Sequence, residues 1–204
     1  MKKLLVEFIG TFFLVLVVSL SGNPVAIGFI LTAMVYMGGY ISGAHYNPAV
    51  TLGLWVSKKF SGNEALKYIV VQLLGGLAAA GVYAFIKKDF FLPAPAPQVN
   101  WMTAFMVESL FTFALVSVVH HVAATEKTKG NDYYGLAIGM TLLAAATAGG
   151  PISGGAFNPA VGVSPLMFDL SSISSHVGNI FLYAAGPMTG GAFAGWVYTR
   201  MKNL

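Results

Sequence analysis

Cysteine is missing from the sequence, and charged residues are scarce. Without a thiol the chain can form no disulfide, no thiolate nucleophile and no cysteine-ligated metal site. Only 9% of the residues are charged and 56% are hydrophobic, a balance that a water-soluble domain of this size could hardly bury internally. The composition therefore indicates an integral membrane protein.

Six long apolar stretches are present, each near the ~20 helical residues that cross ~30 Å of hydrocarbon. They cover residues 4–20, 25–41, 65–86, 101–124, 134–149 and 177–198. The first stretch could alternatively be a secretory signal peptide. Its length, its Glu7 and its place in the repeat described below favour a membrane span.

Lysine and arginine are distributed unequally between the loops, and cytoplasmic loops of membrane proteins collect these residues. With the N-terminus inside, the cytoplasmic segments hold nine of them and the external segments hold two, Lys87 and Lys88. The nine are Lys2, Lys3, Lys58, Lys59, Lys67, Lys127, Lys129, Arg200 and Lys202. We therefore expect six crossings with both termini in the cytoplasm, and the net charge of +4 requires no nucleic-acid partner. The short tails and compact loops favour a prokaryotic inner membrane.

The sequence repeats itself. "SGAHYNPAV" at 42–50 returns as "SGGAFNPAV" at 153–161, and "VEFIGTFFL" at 6–14 returns as "VESLFTFAL" at 107–115. These matches predict one domain over 1–204, built from repeats of about 1–92 and 99–204 that a Pro/Ala-rich loop at 92–98 joins. Each repeat holds three spans, and because three is odd, the second repeat crosses the membrane inverted relative to the first.

Each copy of the repeated phrase predicts the start of a short helix. Asparagine is a preferred helix N-cap and proline a preferred first helical residue. The apolar runs that follow, 48–56 and about 159–168, are only nine or ten residues long. Such a helix covers about 14 Å, roughly half a bilayer. We therefore expect two half-helices that enter the membrane from opposite faces.

The two half-helices would meet near the middle of the membrane with their N-termini facing each other. Each N-terminus carries a partial positive charge of about half an elementary charge, so a cation or a proton meets an electrostatic barrier there. A neutral molecule can still accept hydrogen bonds from the side-chain amides of Asn47 and Asn158.

These features make the chain resemble the aquaporins, or major intrinsic proteins, over nearly its whole length. The residues that carry the resemblance are the two Asn-Pro-Ala motifs, the Glu7 and Glu108 helices and the Gly-rich last span with Gly186 and Pro187. The resemblance implies an all-α membrane protein with six transmembrane helices plus two re-entrant half-helices in an inverted 3+3 repeat. It also implies a channel domain with a pore in each protomer, and a homotetramer.

The resemblance assigns roles to individual residues. The central filter of the pore would be Asn47, Pro48, Ala49, Asn158, Pro159 and Ala160. The glutamates that match Glu7 and Glu108 hydrogen-bond the backbone of the re-entrant loops in this family; a merely interfacial position is the alternative. His45 would lie in the cytoplasmic vestibule, either lining the pore or serving the structure. The histidines are scattered and predict no metal site, and no cofactor is expected.

The sequence departs from the family pattern at the outer mouth. Water-selective members narrow the mouth there with an aromatic residue, a histidine, a small residue and an arginine. The matching positions are Ile27, Ala146, Gly155 and Val161, of which only the small Gly155 fits. No lysine or arginine occurs between residues 130 and 199. Glycerol-conducting members usually carry an aspartate after the arginine, where this chain has Gly162.

We therefore expect a passive channel that conducts water with relaxed selectivity in a lipid bilayer. A facilitator for larger uncharged solutes such as glycerol or urea is the alternative. Two alternative functions of other classes remain. One is a secondary transporter, which also uses inverted repeats and broken helices. The other is a structural membrane protein that conducts no solute. No nucleophile, metal or phosphate constellation suggests an enzyme.

The absence of cysteine generates the first prediction. Mercurial thiol reagents should leave the permeability of purified, reconstituted protein unchanged, because the chain offers them no thiol. Osmotic shrinkage of proteoliposomes with and without the reagent measures this. Clear inhibition by the reagent would contradict the prediction.

Overall fold

The computed structural model describes residues 1–201, which form eight α-helices, one 3-10 turn and no strand. The predicted all-α fold class is therefore confirmed. Lys202, which entered the charge count, lies outside the described residues. The helices are α1 (Lys2–Ser21), α2 (Pro24–Ser42), α3 (Pro48–Val56), α4 (Gly62–Lys87), α5 (Trp101–Val122), α6 (Tyr134–Ser153), α7 (Pro159–Phe168) and α8 (Ile173–Met201), and the 3-10 turn is Glu126–Thr128.

Six helices are long and two are short. Helices α1, α2, α4, α5 and α6 are each long and apolar enough to cross a membrane. Helix α8 falls outside that set, since its first turns are polar and its middle is rich in glycine. With 29 residues it is still the longest helix, roughly 44 Å, and it contains the predicted span 177–198.

The two short helices begin where the sequence predicts. Helix α3 starts at Pro48 and α7 at Pro159, and each is preceded by an asparagine with extended backbone. Asn47 Oδ1 accepts a hydrogen bond from Ala49 N at 2.8 Å, and Asn158 Oδ1 accepts one from Ala160 N at 2.9 Å. The asparagines thus satisfy N–H groups that the first helical turn would otherwise leave unpaired.

The chain order places the two short helices on opposite sides of the bundle. We call the side on which α1 begins the N-terminal face and the other side the opposite face. The α2–α3 loop enters from the N-terminal face and the α6–α7 loop from the opposite face. Helix α3 packs on α8 and α7 packs on α4, so a long helix of the other half supports each half-helix.

Glycine allows the long helices to approach closely. A Cβ at Gly190 in α8 would lie 2.1 Å from Ser109 O in α5, and one at Gly139 in α6 would lie 2.4 Å from Gly28 O in α2. Membrane helices gain little from hydrophobic burial against one another, so close backbone packing of this kind contributes much of their association.

This packing predicts different outcomes for two substitutions in the same helix. Gly190→Ala should lower the melting temperature in detergent, because the new methyl group collides with a carbonyl on a neighbouring helix; overpacking of this kind costs about 1–3 kcal/mol. Gly178→Ala is the matched control, since a Cβ there meets no atom within 4 Å. Equal melting temperatures for the two variants would contradict the assigned role of Gly190.

Candidate pore and its filter residues

Two loops meet at the centre of the bundle, and both contain residues with left-handed backbone. The positive φ angles fall at equivalent positions of the two loops. In the first loop they are at Gly43 (89°), Ala44 (52°) and Tyr46 (49°), and in the second at Gly154 (92°), Gly155 (69°) and Phe157 (49°). A residue other than glycine in this region costs about 1–3 kcal/mol and persists only where its surroundings enforce it. The enforcing groups are two buried carboxylates.

Glu7 holds the first loop. Its Oε1 accepts hydrogen bonds from Ser42 Oγ at 2.7 Å and from His45 N at 3.0 Å. Its Oε2 accepts from Tyr46 N and from Gln72 Nε2, both at 2.8 Å. The carboxylate is fully buried, so all its partners are protein groups, and the N–H groups of the strained loop are paired.

Glu108 holds the second loop in a similar way. Its Oε1 accepts from Ser153 Oγ at 2.7 Å and from Ala156 N at 3.0 Å, and its Oε2 accepts from Phe157 N at 2.6 Å. This carboxylate is also fully buried. The structure thus places both glutamates against the loops, buried inside the protein.

The two asparagines join the loops to each other. Asn47 Nδ2 donates to Phe157 O, and Asn158 Nδ2 donates to Tyr46 O, each at 2.9 Å. Because an amide nitrogen carries two hydrogens, each asparagine keeps one for a molecule in the cavity that both side chains line. The cross-loop bonds therefore fix the direction of the remaining N–H groups.

The cavity between the loops is narrow. The volume that the centre of a water molecule can occupy inside it is about 20 Å³. On this measure one water needs roughly 10–15 Å³, so the space holds about one or two waters. His45, Asn47 and Asn158 supply its polar side chains, and an apolar wall faces them: Leu14, Val18, Ile27, Leu31, Val50, Leu115, Val119, Ile138, Leu142 and Val161.

Two larger cavities adjoin the central cavity. The one at the opposite face has a volume of about 360 Å³ and shares Val18, Ile27 and Gly155 with it. The one at the N-terminal face has a volume of about 560 Å³ and shares Ala44, Val119 and Ile138. We call them the outer and the inner vestibule, after the orientation that the sequence predicts. The three cavities follow one another from face to face.

The four outer-mouth positions are not all equivalent. Ile27, Gly155 and Val161 line the central cavity, whereas Ala146 lines only the outer vestibule. Gly155 is also required by the backbone, because its φ is 69° and a Cβ there would lie 2.8 Å from Gly150 Cα. Its small size therefore says little by itself about selectivity.

His45 serves the structure and lines the cavity at once. Its Nδ1 lies 3.1 Å from Thr51 Oγ1, and its ring packs edge-on to Phe60 with the centroids 4.7 Å apart. The ring is buried, yet the residue lines the central cavity. The two roles that the sequence left as alternatives are therefore compatible at this position.

Sequence reasoning missed several residues of the site. Ser42 and Ser153 bind the two glutamates, and they open the repeated phrase, so their equivalence was a usable signal. Gln72 binds Glu7 and also lies 3.0 Å from Thr51 Oγ1. The only sign of its role is its position as a lone amide inside an apolar span. Nothing in the sequence indicated that Phe91 lines the outer vestibule.

The Glu108 contacts generate a prediction. Glu108→Gln replaces one accepting oxygen by an NH2 group, which then faces a loop N–H, and an unpaired buried group costs about 1–3 kcal/mol. We expect a lower melting temperature and a lower water flux per folded protein. Glu64→Gln removes the same charge from a side chain that is 41% exposed and lines none of the three cavities, so it serves as the control. A Glu108→Gln variant as stable and as permeable as this control would contradict the supporting role.

Comparison with known proteins agrees with this architecture. The model of the major intrinsic protein family matches residues 1–198. Aquaporin AqpM of Methanothermobacter thermautotrophicus is 33% identical, with 99% of this chain and 98% of the relative covered. Nodulin-26 of Glycine max is 31% identical, with 99% and 78% covered.

A solved structure shows the same fold. The X-ray structure of the aquaglyceroporin from Plasmodium falciparum superposes with a TM-score of 0.78 at 22% identity, covering 98% of this chain and 96% of the other. The helices, the two paired loops and the sequence relatives lead to one conclusion. The chain belongs to the major intrinsic protein family, whose members are multi-pass membrane channels and not enzymes.

Proposed function

We propose that this chain forms a passive channel that conducts water with relaxed selectivity through a pore within each protomer. The observation that carries the proposal is the central cavity, where the fixed amides of Asn47 and Asn158 face an apolar wall across a space of about 20 Å³. A water molecule can accept hydrogen bonds from these amides while it passes, and the apolar wall does not hold it back.

The central cavity also disfavours the passage of charged solutes. The N-termini of α3 and α7 meet beside the asparagines, and each contributes about half a positive charge. An ion would also lose its hydration shell against the apolar wall, which offers nothing in return, and burying an uncompensated charge is very costly. Half-helix dipoles of this kind are a recognised barrier to protons and cations in aquaporin-type pores.

The outer filter positions select by size and by dehydration. Ile27, Ala146 and Val161 are buried apolar side chains without a hydrogen-bond donor. A polyol or urea that enters must give up several hydrogen bonds to water, and each unreplaced bond opposes entry. Water gives up fewer, which favours water as the main permeant.

One observation favours the alternative, a facilitator for larger uncharged solutes. The outer vestibule, with a volume of about 360 Å³, reaches down to Ile27 and Gly155 without an intervening large polar side chain. The positions at which other members carry an aromatic, a histidine and an arginine leave that approach unobstructed. Glycerol or urea would then meet its main resistance at the asparagines.

Location and assembly are part of the proposal. The Lys and Arg distribution supports the N-terminal face as the cytoplasmic side, in a prokaryotic inner membrane. Family membership supports a homotetramer with one pore per protomer. The residues that line the three cavities include few ionisable groups, which argues against ion-coupled secondary transport.

Proteoliposome experiments separate these functions. Stopped-flow shrinkage in sucrose reports water flux, and reswelling in glycerol or urea reports solute entry. We expect water flux well above that of empty liposomes, with smaller but measurable solute entry. Glycerol flux without excess water permeability would favour the facilitator, and no excess flux of either kind would favour a structural role. Saturation together with a need for a sodium or proton gradient would indicate a transporter.

Val161 offers a direct test of the outer mouth. Val161→Arg places a long side chain with fixed donors in the central cavity, so the ratio of glycerol to water permeability should fall several-fold. Val161→Leu is the control, because it adds volume without charge or donors. An unchanged ratio in a folded Val161→Arg protein would contradict the assignment of this position to the filter.

A further inference from the structure

A separate pocket opens on the N-terminal face where α3 ends and α4 begins. It is a shallow depression that is open to solvent, and we call it the basic pocket: Trp55, Lys58, Lys59, Phe60, Ser61 and Gly62. It shares no lining residue with the central cavity or the vestibules. Conduction therefore does not explain it.

The pocket gathers hydrogen-bond donors that lack anionic partners. Within residues 1–201, neither Lys58 nor Lys59 pairs with a carboxylate, and no acidic residue lines the pocket. The Lys59 ammonium lies 5.8 Å from the centroid of the Tyr198 ring, so it has an aromatic neighbour but no anionic one. The Trp55 indole is 49% exposed, and its Nε1 would lie 3.1 Å from a Cβ at Gly62. The walls thus carry positive charge together with an exposed aromatic surface.

Lys58 occupies a backbone conformation that does not suit it. Its φ is 60°, in the left-handed region where glycine usually ends a helix. Lysine has a steric cost there that glycine would avoid, as it also has at Lys88, where α4 ends with a φ of 57°. The charge of Lys58 has one general effect, since cations near the C-terminus of α3 interact favourably with the helix dipole.

The position of the pocket suggests a more specific role. It lies at the boundary between the apolar runs of α3 and α4 and the aqueous phase, where tryptophan typically meets lipid headgroups. An anionic phospholipid has a phosphate for the lysines and a glycerol and acyl portion for Trp55 and Phe60. A free phosphate ion would leave the aromatic wall without a partner.

We propose that the basic pocket binds the headgroup of an anionic phospholipid in the leaflet at the N-terminal face. The phosphate lies against the ammonium groups of Lys58 and Lys59, and the indole N–H of Trp55 donates to an ester or phosphate oxygen. Because the pocket follows α3 directly, the bound lipid stabilises the end of this half-helix. The site does not depend on which solute the channel conducts.

The test compares melting temperatures of the purified full chain in detergent with added lipid. Phosphatidylglycerol should raise the melting temperature of the unmodified protein by a few degrees relative to phosphatidylcholine. The Lys58→Gln/Lys59→Gln variant should lose most of this rise. Trp55→Phe keeps the ring but removes the N–H donor, and it should lose part of the rise.

Lys127→Gln/Lys129→Gln is the matched control, since it removes two lysines from a more exposed segment of the same face, where Lys129 pairs with Glu126. It should keep the full response to phosphatidylglycerol. Equal losses in both double variants would overturn the proposal in favour of a diffuse surface charge. A Lys58→Gln/Lys59→Gln variant that is destabilised equally in both lipids would leave only the helix-dipole role. An equal rise with inorganic phosphate would overturn the assignment to a lipid.

Discussion

The need to pair backbone groups inside a membrane governs this structure. Two loops reach the middle of the bundle, where lipid can satisfy neither their N–H nor their carbonyl groups. Glu7 and Glu108 bind the N–H groups of the loops, and Asn47 and Asn158 bind carbonyls across the gap between them. The same contacts that make the loops tolerable in the membrane also fix the half-helices and set the direction of the free amide hydrogens. Stability and the proposed selectivity for uncharged solutes therefore depend on one set of hydrogen bonds.

The two halves use this arrangement with different accessory groups. The first carboxylate has a fourth partner in Gln72, which links it to Thr51 and so toward His45. The second has no comparable amide among its hydrogen bonds. His45 adds a polar side chain to the central cavity on the side of the first loop, while the filter positions Gly155 and Val161 beside the second loop add none. In the proposed channel, solutes would lose water at the mouth and regain hydrogen bonds at the asparagines.

Much of the fold could be predicted because it follows from local rules. An asparagine cap before a proline defines where α3 and α7 begin, and the lengths of the apolar runs define where they end. The cross-loop bonds of the asparagines could not be predicted, since they join residues more than a hundred positions apart. Ala146 lines the outer vestibule together with Ile27 and Gly155 but does not line the central cavity. The sequence could not predict this difference, because spacing along the chain does not give the depth of a side chain along the pore. The basic pocket could not be predicted either. In the sequence, Lys58 and Lys59 contribute only to the charge of a predicted cytoplasmic loop, and nothing there indicates that they lie beside Trp55 and Phe60.

In the proposed channel, two opposed half-helices, held by these asparagines and glutamates, exclude ions without a filter arginine. The most direct test measures water permeability and the conductance of protons and potassium on the same proteoliposomes at increasing protein density. Water permeability should rise with protein density, while ionic conductance should stay at the level of empty liposomes. An ionic conductance that rises in proportion to the number of channels would contradict this exclusion of ions.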